Sequence, residues 1–536
     1  MSPRLAGRAL AIRAWATANG RLLVLATVVS VLVAFYFWTA LTSLATDDVA
    51  RDGVGFYGLL GDSFAHGRLS LDLAPDPRLL ALLDPYDPAA NAPFRLHDAS
   101  LFDGRYYLYF GPTPALLLSA PAKLFGIVVT EPFACAFFAS IALVAAAWLI
   151  NILLRRFAAT VGTPATAFMV LVVGLANGVP FALRRPAVYE TAITAGLACT
   201  TVVALLVALA IKHPRLRMAL LISSGVVAGL AVGARPHLAL IMILPLFGVL
   251  QAWRTEGRRT GLRLLASSTV PFVGILALLA LYNALRFGDP LEFGSGYQLA
   301  GVDPRANSSF DAARLIPGAF FYFLAPPSFS SAFPFVSLEP EWPGGGLPAA
   351  YTSIEPVGGA LLLAPVIVLG LCAVAILSRR GAQQRHKTGI GYPLALAATA
   401  ILIAVATMVR IPAATQRYEV DWLTLLLMAS VVAIGIAMAH AGTAARRSIS
   451  AAMIALGTYS CMVGTALGMT GYFDTLRLAH PSTYEALEDT FAFVPTLSSR
   501  ASKAPLIQRN DVVAPGIARL QFVVGATGPV VITMSP

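Results

Sequence analysis

Charge is what this sequence has least of. Asp, Glu, Lys and Arg make up 12% of its 536 residues, about half the share found in soluble globular domains, too few to clothe a water-exposed surface of this size. Cysteine is scarce as well. The four present, Cys135, Cys199, Cys372 and Cys461, all fall inside long apolar runs, which excludes a disulfide framework and the usual zinc spacings. There is no H-E-x-x-H and no G-x-x-x-x-G-K-[ST], so the residues of a zinc protease or a phosphate-loop ATPase are missing. On these grounds neither a metal nor a cofactor is expected.

What is abundant is hydrocarbon. Hydrophobic residues reach 57% and mean hydropathy is +0.74. Crossing a bilayer core takes about 20 apolar residues of helix, and such runs recur almost from end to end. The expected spans are 22–45, 132–154, 163–183, 187–211, 218–234, 236–252, 264–286, 356–378, 390–409, 419–440 and 449–471. The fold class is therefore an all-α polytopic membrane protein with about eleven transmembrane helices.

The basic residues orient it. Lys and Arg resist translocation, and one set of alternate connections collects Arg4, Arg8, Arg13 and Arg21, then Arg155 and Arg156, Lys212, Arg215 and Arg217, Arg254 to Arg263, Arg379 to Lys387, and Arg446 and Arg447. Glu256 is the single acidic residue in that set. The N-terminus, 1–21, is thus expected in the cytoplasm and the C-terminus outside, as a multi-pass protein of the cell inner membrane. The net charge of +11 follows from this topology and from anionic lipid, and nucleic acid is not a partner.

The membrane domain, 22–471, carries two long outer loops, 46–131 and 287–355, and is followed by an extracytoplasmic tail, 472–536. The first loop is expected to hold juxtamembrane helices. The apolar stretch 112–130 cannot cross without placing Arg155 and Arg156 outside, and it contains Lys123, Pro112, Pro114 and Pro121. An interfacial or re-entrant helix is the consistent reading. The second loop, rich in Pro, Gly, Ser and Phe, reads as an irregular lid. In the tail, 518–524 and 529–534 flank Gly525-Ala526-Thr527-Gly528, the pattern of a β-hairpin.

Carboxylates gather just beyond the first span, in DDVARDGVGFYGLLGDSFAHGRLSLD (47–72). A carboxylate at the mouth of a membrane-adjacent cavity suits a general base that deprotonates an acceptor hydroxyl. The bland reading of any one of the first loop's ten aspartates is a solvated charge or a helix cap. Three other stretches stand out: DASLFDGRYYLYFGPTPALLL (98–118), YNALRFGDPLEFGSGY (282–297) and RIPAATQRYEVD (410–421).

Together these stretches resemble glycosyltransferases of the GT-C fold, the superfamily of protein O-mannosyltransferases and of aminoarabinose transferases acting on lipid A. In that superfamily an aspartate follows the first transmembrane helix, an aromatic comes a few residues later, and a glycine closes the first juxtamembrane helix, as Asp52, Tyr57 and Gly67 are disposed here. The resemblance implies Asp52 as catalytic base, with Asp48 and Asp47 as alternatives one turn away. It also implies transfer of a hexosyl or pentosyl group from a polyprenyl-phosphate donor to a glycolipid, polysaccharide or protein acceptor at the outer face.

Arg417 is the expected phosphate ligand, since a guanidinium offers a forked, permanently charged donor set; pairing with Glu419 or Asp421 is the structural alternative. Arg184, Arg185 and Arg235 lie on the outer side against the charge trend, which phosphate contact or a buried ion pair would explain. Tyr106, Tyr107, Tyr109 and Tyr418, with Glu190, are the candidates for contacting sugar, an aromatic face being apolar and a phenol both donor and acceptor. The tyrosines serve equally as interfacial anchors. A lipid or solute transporter is the alternative function, and a scaffolding membrane protein a further one.

Overall fold

The computed structural model describes residues 3–43, 54–303, 305, 310–348, 350–379, 388–492, 506–514, 517–523 and 529–534. Of the side chains, those of 1–18 and 501–536 are not among those described.

The chain is an all-α polytopic membrane protein. Ten helices among the described residues are long and apolar enough to cross a bilayer: Asn19–Leu41, Glu131–Phe157, Thr163–Ala182, Val188–Lys212, Pro214–Ala234, Pro236–Glu256, Arg258–Phe287, Gly391–Arg410, Gln416–His440 and Thr443–Ala479. Each corresponds to an expected span. The remaining expected span, 356–378, is broken. A short helix, Ala360–Leu363, is followed by Val366–Ser378, because Pro365 between them has no N–H and its ring clashes with the preceding turn. The interrupted segment still runs from one face to the other: the Pro356 carbonyl accepts the Gln416 N–H at its start, and beyond its end a Cβ on Gly389 would meet Phe157 at the far end of the second span.

Burial grades the spans from centre to rim. The ninth, Gln416–His440, has 89% of its apolar window buried and the fourth, Val188–Lys212, 83%, whereas the seventh, Arg258–Phe287, has 11% and so presents most of its surface to lipid. Helix approach in a bilayer depends on small residues rather than on a hydrophobic drive. At Gly225 an added Cβ would lie 2.1 Å from the Ser268 carbonyl oxygen, and at Gly464 the same distance from that of Leu175, so these pairs of helices meet backbone to backbone.

The first long loop is more ordered than the sequence reading foresaw. Its juxtamembrane helix, Gly55–Ala65, ends just before Gly67, which takes the left-handed conformation at φ 70°, a position where a Cβ is unfavourable. The stretch 98–118 opens with a hairpin, Ala99–Phe102 against Arg105–Leu108, ahead of its helix. Asp103 and Gly104 turn it with φ of 48° and 67°, as a two-residue Asp-Gly turn between twisted strands requires.

Within 112–130 the helix runs only from Ala115 to Leu124, about 15 Å, and does not cross. It lies on the juxtamembrane helix, where a Cβ on Gly61 would sit 2.6 Å from that of Ser119, and Lys123 bonds Asp62 at 2.6 Å. Its other side and the turn after it leave Leu124, Phe125, Ile127 and Val128 exposed, the amphipathic division of an interfacial segment.

The second loop contains an apolar helix, Ala312–Leu324, and tiny strands. Ser328–Phe329 pairs with Val336–Ser337, and Ser353–Ile354 pairs in parallel with Ala413–Ala414 from the other side of the eighth span. Ser100 bridges to Gln298, tying the two loops together. In the tail, Ile517–Val523 and Pro529–Met534 form the expected hairpin, and a third strand, Leu506–Ala514, which the sequence reading did not include, completes the sheet.

Candidate functional site

Counting the interrupted segment 356–378, the spans alternate in direction, so the ends at Leu41, Glu131, Ala182, Val188, Ala234, Pro236, Phe287, Arg410 and Gln416 share one face with both long loops. Among the described residues, all the ion pairs but Arg217–Glu256 collect there. Arg417 opens the ninth span on a 3-10 turn, Gln416–Glu419, and its side chain is 9% exposed. One of its nitrogens lies 3.3 Å from Glu190 and the other 3.5 Å from Glu355. Arg185, in the link between the third and fourth spans, reaches the same two carboxylates at 3.5 and 3.1 Å.

This quartet is framed by aromatic rings. The Arg417 guanidinium stacks over Tyr189 at 4.4 Å and that of Arg185 over Tyr472 at 4.2 Å. The Tyr472 hydroxyl accepts the backbone N–H of Arg417 at 3.0 Å, fixing where the ninth span starts. Burial opposes the charge on Arg185, but Glu190, Tyr472 and Glu355 more than offset it, so its pKa lies above the ordinary arginine value.

A second group adjoins it. Asp421 ion-pairs with Arg235 at 3.3 Å and hydrogen-bonds His237 at 2.9 Å, and Arg235 lies over the Tyr418 ring at 5.0 Å. Arg235 and His237 straddle Pro236, where the fifth span ends and a 3-10 turn starts the sixth. A third group comes from the first loop. Asp98, held at φ 66°, accepts on one oxygen from the Tyr189 hydroxyl at 2.7 Å and from the Gln298 amide at 2.8 Å. Burial and nearby Asp98 push the phenol of Tyr109 well above its usual pKa.

The candidates from sequence thus divide. Arg417, Arg185, Arg235, Tyr418 and Glu190 come together at the loop-side ends of the spans. Arg184 does not join them: fully buried, it donates to the Gly468 carbonyl at 2.5 Å and to the Thr42 hydroxyl at 2.8 Å, and stacks on Trp38 at 4.6 Å. It joins the third-span link to the ends of the first and last spans. Tyr106 belongs to the first loop's apolar core, and Tyr107 packs edge-on against Phe287. Asp47, Asp48 and Asp52 lie outside the described residues.

Glu419 and Asp421, the alternative partners for Arg417, are taken by Gln416 at 2.7 Å and by the Arg235 and His237 pair. Glu355, His237, Asp98 and Tyr189 were missed as site residues. A signal existed for two of them: Glu355 precedes an apolar run and His237 follows Arg235-Pro236, so each is a polar residue at a loop-side span edge. Among the described residues no group of three His, Cys, Asp or Glu side chains is placed to hold a metal.

No protein-family model matches the sequence and no curated protein matches it. Solved structures do resemble it. The apo oligosaccharyltransferase of Archaeoglobus fulgidus is similar at 13% identity and a TM-score of 0.47, over 91% of this chain and 61% of that one. The oligosaccharyltransferase AglB of Archaeoglobus fulgidus in complex with an inhibitory peptide and a dolichol-phosphate scores 0.42 at 13% identity, over 91% and 61% of the two chains. ArnT from Cupriavidus metallidurans bound to undecaprenyl phosphate scores 0.42 at 12% identity, over 88% of this chain and 79% of that one. This chain therefore spans about three fifths of the length of the archaeal oligosaccharyltransferase.

Proposed function

We propose that this protein is a glycosyltransferase that moves a hexosyl or pentosyl group from a polyprenyl-phosphate donor to a glycolipid, polysaccharide or protein acceptor at the outer face of the cytoplasmic membrane. The observation that carries the reading is the pair of partly buried guanidiniums, Arg185 and Arg417, converging on one carboxylate oxygen of Glu355 at the loop-side edge of the spans. Two forked cations at a bilayer edge suit a lipid-borne phosphate, whose tail stays in hydrocarbon while its head group is gripped. The sequence resemblance to GT-C enzymes supports the same reading.

In this reaction the lipid tail lies between helices and the phosphate rests on Arg417 and Arg185, with Arg235 beside them. Arg184 is committed to carbonyl and hydroxyl oxygens and takes no part. Tyr418, Tyr189 and Tyr109 offer ring faces and hydroxyls to the sugar, Glu190 holds the two arginines in place, and Tyr106 and Tyr107 support the loop. Asp52, or Asp48 or Asp47 in its stead, takes the acceptor's hydroxyl proton. The acceptor oxygen then bonds the anomeric carbon as the bond from that carbon to the phosphate oxygen breaks, leaving polyprenyl phosphate and an inverted centre. The arginines lower the barrier by holding the charge that develops on the leaving phosphate.

The test is sugar transfer from labelled polyprenyl-phosphate donors in membranes holding matched amounts of wild type or Asp52→Asn. Transfer by wild type and its loss in the variant support the assignment. Equal transfer by both moves the base to Asp48 or Asp47. Labelled lipid that crosses the bilayer without any transfer favours a transporter.

A further inference from the structure

We infer that Glu355 is the free protein's own stand-in for the donor phosphate, a carboxylate that occupies the arginine pair until phosphate displaces it. This rests on the proposed donor reading and assigns to the second loop a part in the phosphate site. One oxygen of Glu355 lies 3.1 Å from Arg185 and 3.5 Å from Arg417. A phosphate oxygen gripped by both guanidiniums would need that same position, so carboxylate and phosphate exclude each other.

The two carboxylates of the quartet differ in freedom. The Glu190 side chain is 0% exposed and that of Glu355 27% exposed. Glu190 contacts both arginines from within the fourth span and cannot leave without stranding buried charge. Glu355 can leave, because Glu190 stays behind as a counter-ion and the incoming phosphate replaces the charge that departs. No step exposes two guanidiniums to a low-dielectric surrounding without a partner.

Only the side chain has to move. The Glu355 backbone N–H donates to the Ala414 carbonyl at 2.8 Å, and the Pro356 carbonyl accepts from the Gln416 N–H at 3.0 Å. The loop backbone is thus pinned on both sides of Glu355 to the segment that carries Arg417. Exchange is a rotamer change at the solvent-facing edge, faster than a loop opening. The same swap in reverse helps expel the spent lipid phosphate.

The experiment measures binding of sugar-free polyprenyl phosphate to the full-length protein in nanodiscs, for wild type, Glu355→Gln and Glu355→Ala. Removing the competitor is expected to tighten binding by about 1.5- to fivefold in both variants, the range set by one partly exposed ion pair. A misfolded variant cannot produce tighter binding, so a gain is diagnostic. If wild type binds and neither variant binds more tightly, Glu355 is not a competitor and the inference fails while the donor reading stands. If wild type does not bind the lipid phosphate, the donor reading fails and the inference falls with it.

Discussion

Replacing Arg417 by Lys keeps the charge and removes the fork. In the structure the two terminal nitrogens serve different carboxylates, at 3.3 and 3.5 Å, and the planar group lies 4.4 Å from the Tyr189 ring centre. A lysine ammonium is a point charge on a flexible stem and cannot hold both directions and the stack at once. Losing one charge-assisted hydrogen bond removes about 1.5–3 kcal/mol, and weakening the cation–ring contact about 0.5–1 kcal/mol. Together these come to about 2–4 kcal/mol, or a drop of about 30- to 1,000-fold in kcat/KM for the lipid donor. The assay is donor turnover by purified Arg417→Lys, with a thermal melt to establish that it is folded. A folded variant within about threefold of wild type would refute the assignment of Arg417 to the phosphate.

Three further outcomes follow from the geometry. Gly61→Leu forces a side chain into Ser119, 2.6 Å from the added Cβ, and is expected to destabilise by about 1–3 kcal/mol as overpacking does, read as a lowered Tm. Lys123→Met removes the hydrogen bond that, as the largest cause, holds the Asp62 carboxyl below its ordinary value of 3.8. A depressed acid stabilises the fold above its unfolded pKa and loses that contribution as pH falls through its folded one. The small Tm gap between wild type and Lys123→Met should therefore be present at neutral pH and close below about pH 4. For orientation, an otherwise cysteine-free protein with Leu83→Cys, a fully exposed position in the first loop, should react with a membrane-impermeant thiol reagent in intact cells. The same protein with Thr160→Cys, on the opposite face, should react only after lysis.

The spans were legible because a bilayer imposes one rule, a sustained apolar run, that needs no tertiary information. The run at 356–378 broke because Pro365 acts on local backbone geometry, which a hydropathy average does not register. The hairpin at 99–108 escaped because tyrosines and leucines suit either a strand or an interfacial helix, while its Asp-Gly turn is only two residues long. At the site, the arginines stood out as charges on the wrong side of the topology. Their pairing was not legible, and Glu355 was missed, since Glu190, Glu355 and Asp421 come from three parts of the chain brought together only by span packing. For the same reason Arg184 and Arg185, adjacent in sequence, could not be separated before the fold set one on backbone carbonyls and the other on two carboxylates.

The central claim, sugar transfer from a lipid phosphate, is tested most directly with purified protein in proteoliposomes, a panel of radiolabelled polyprenyl-phosphate hexoses and pentoses, and an extract supplying acceptors. The account predicts that one donor is consumed, with label appearing on the acceptor and polyprenyl phosphate released in equal amount. Folded protein that consumes no donor across the panel would contradict it.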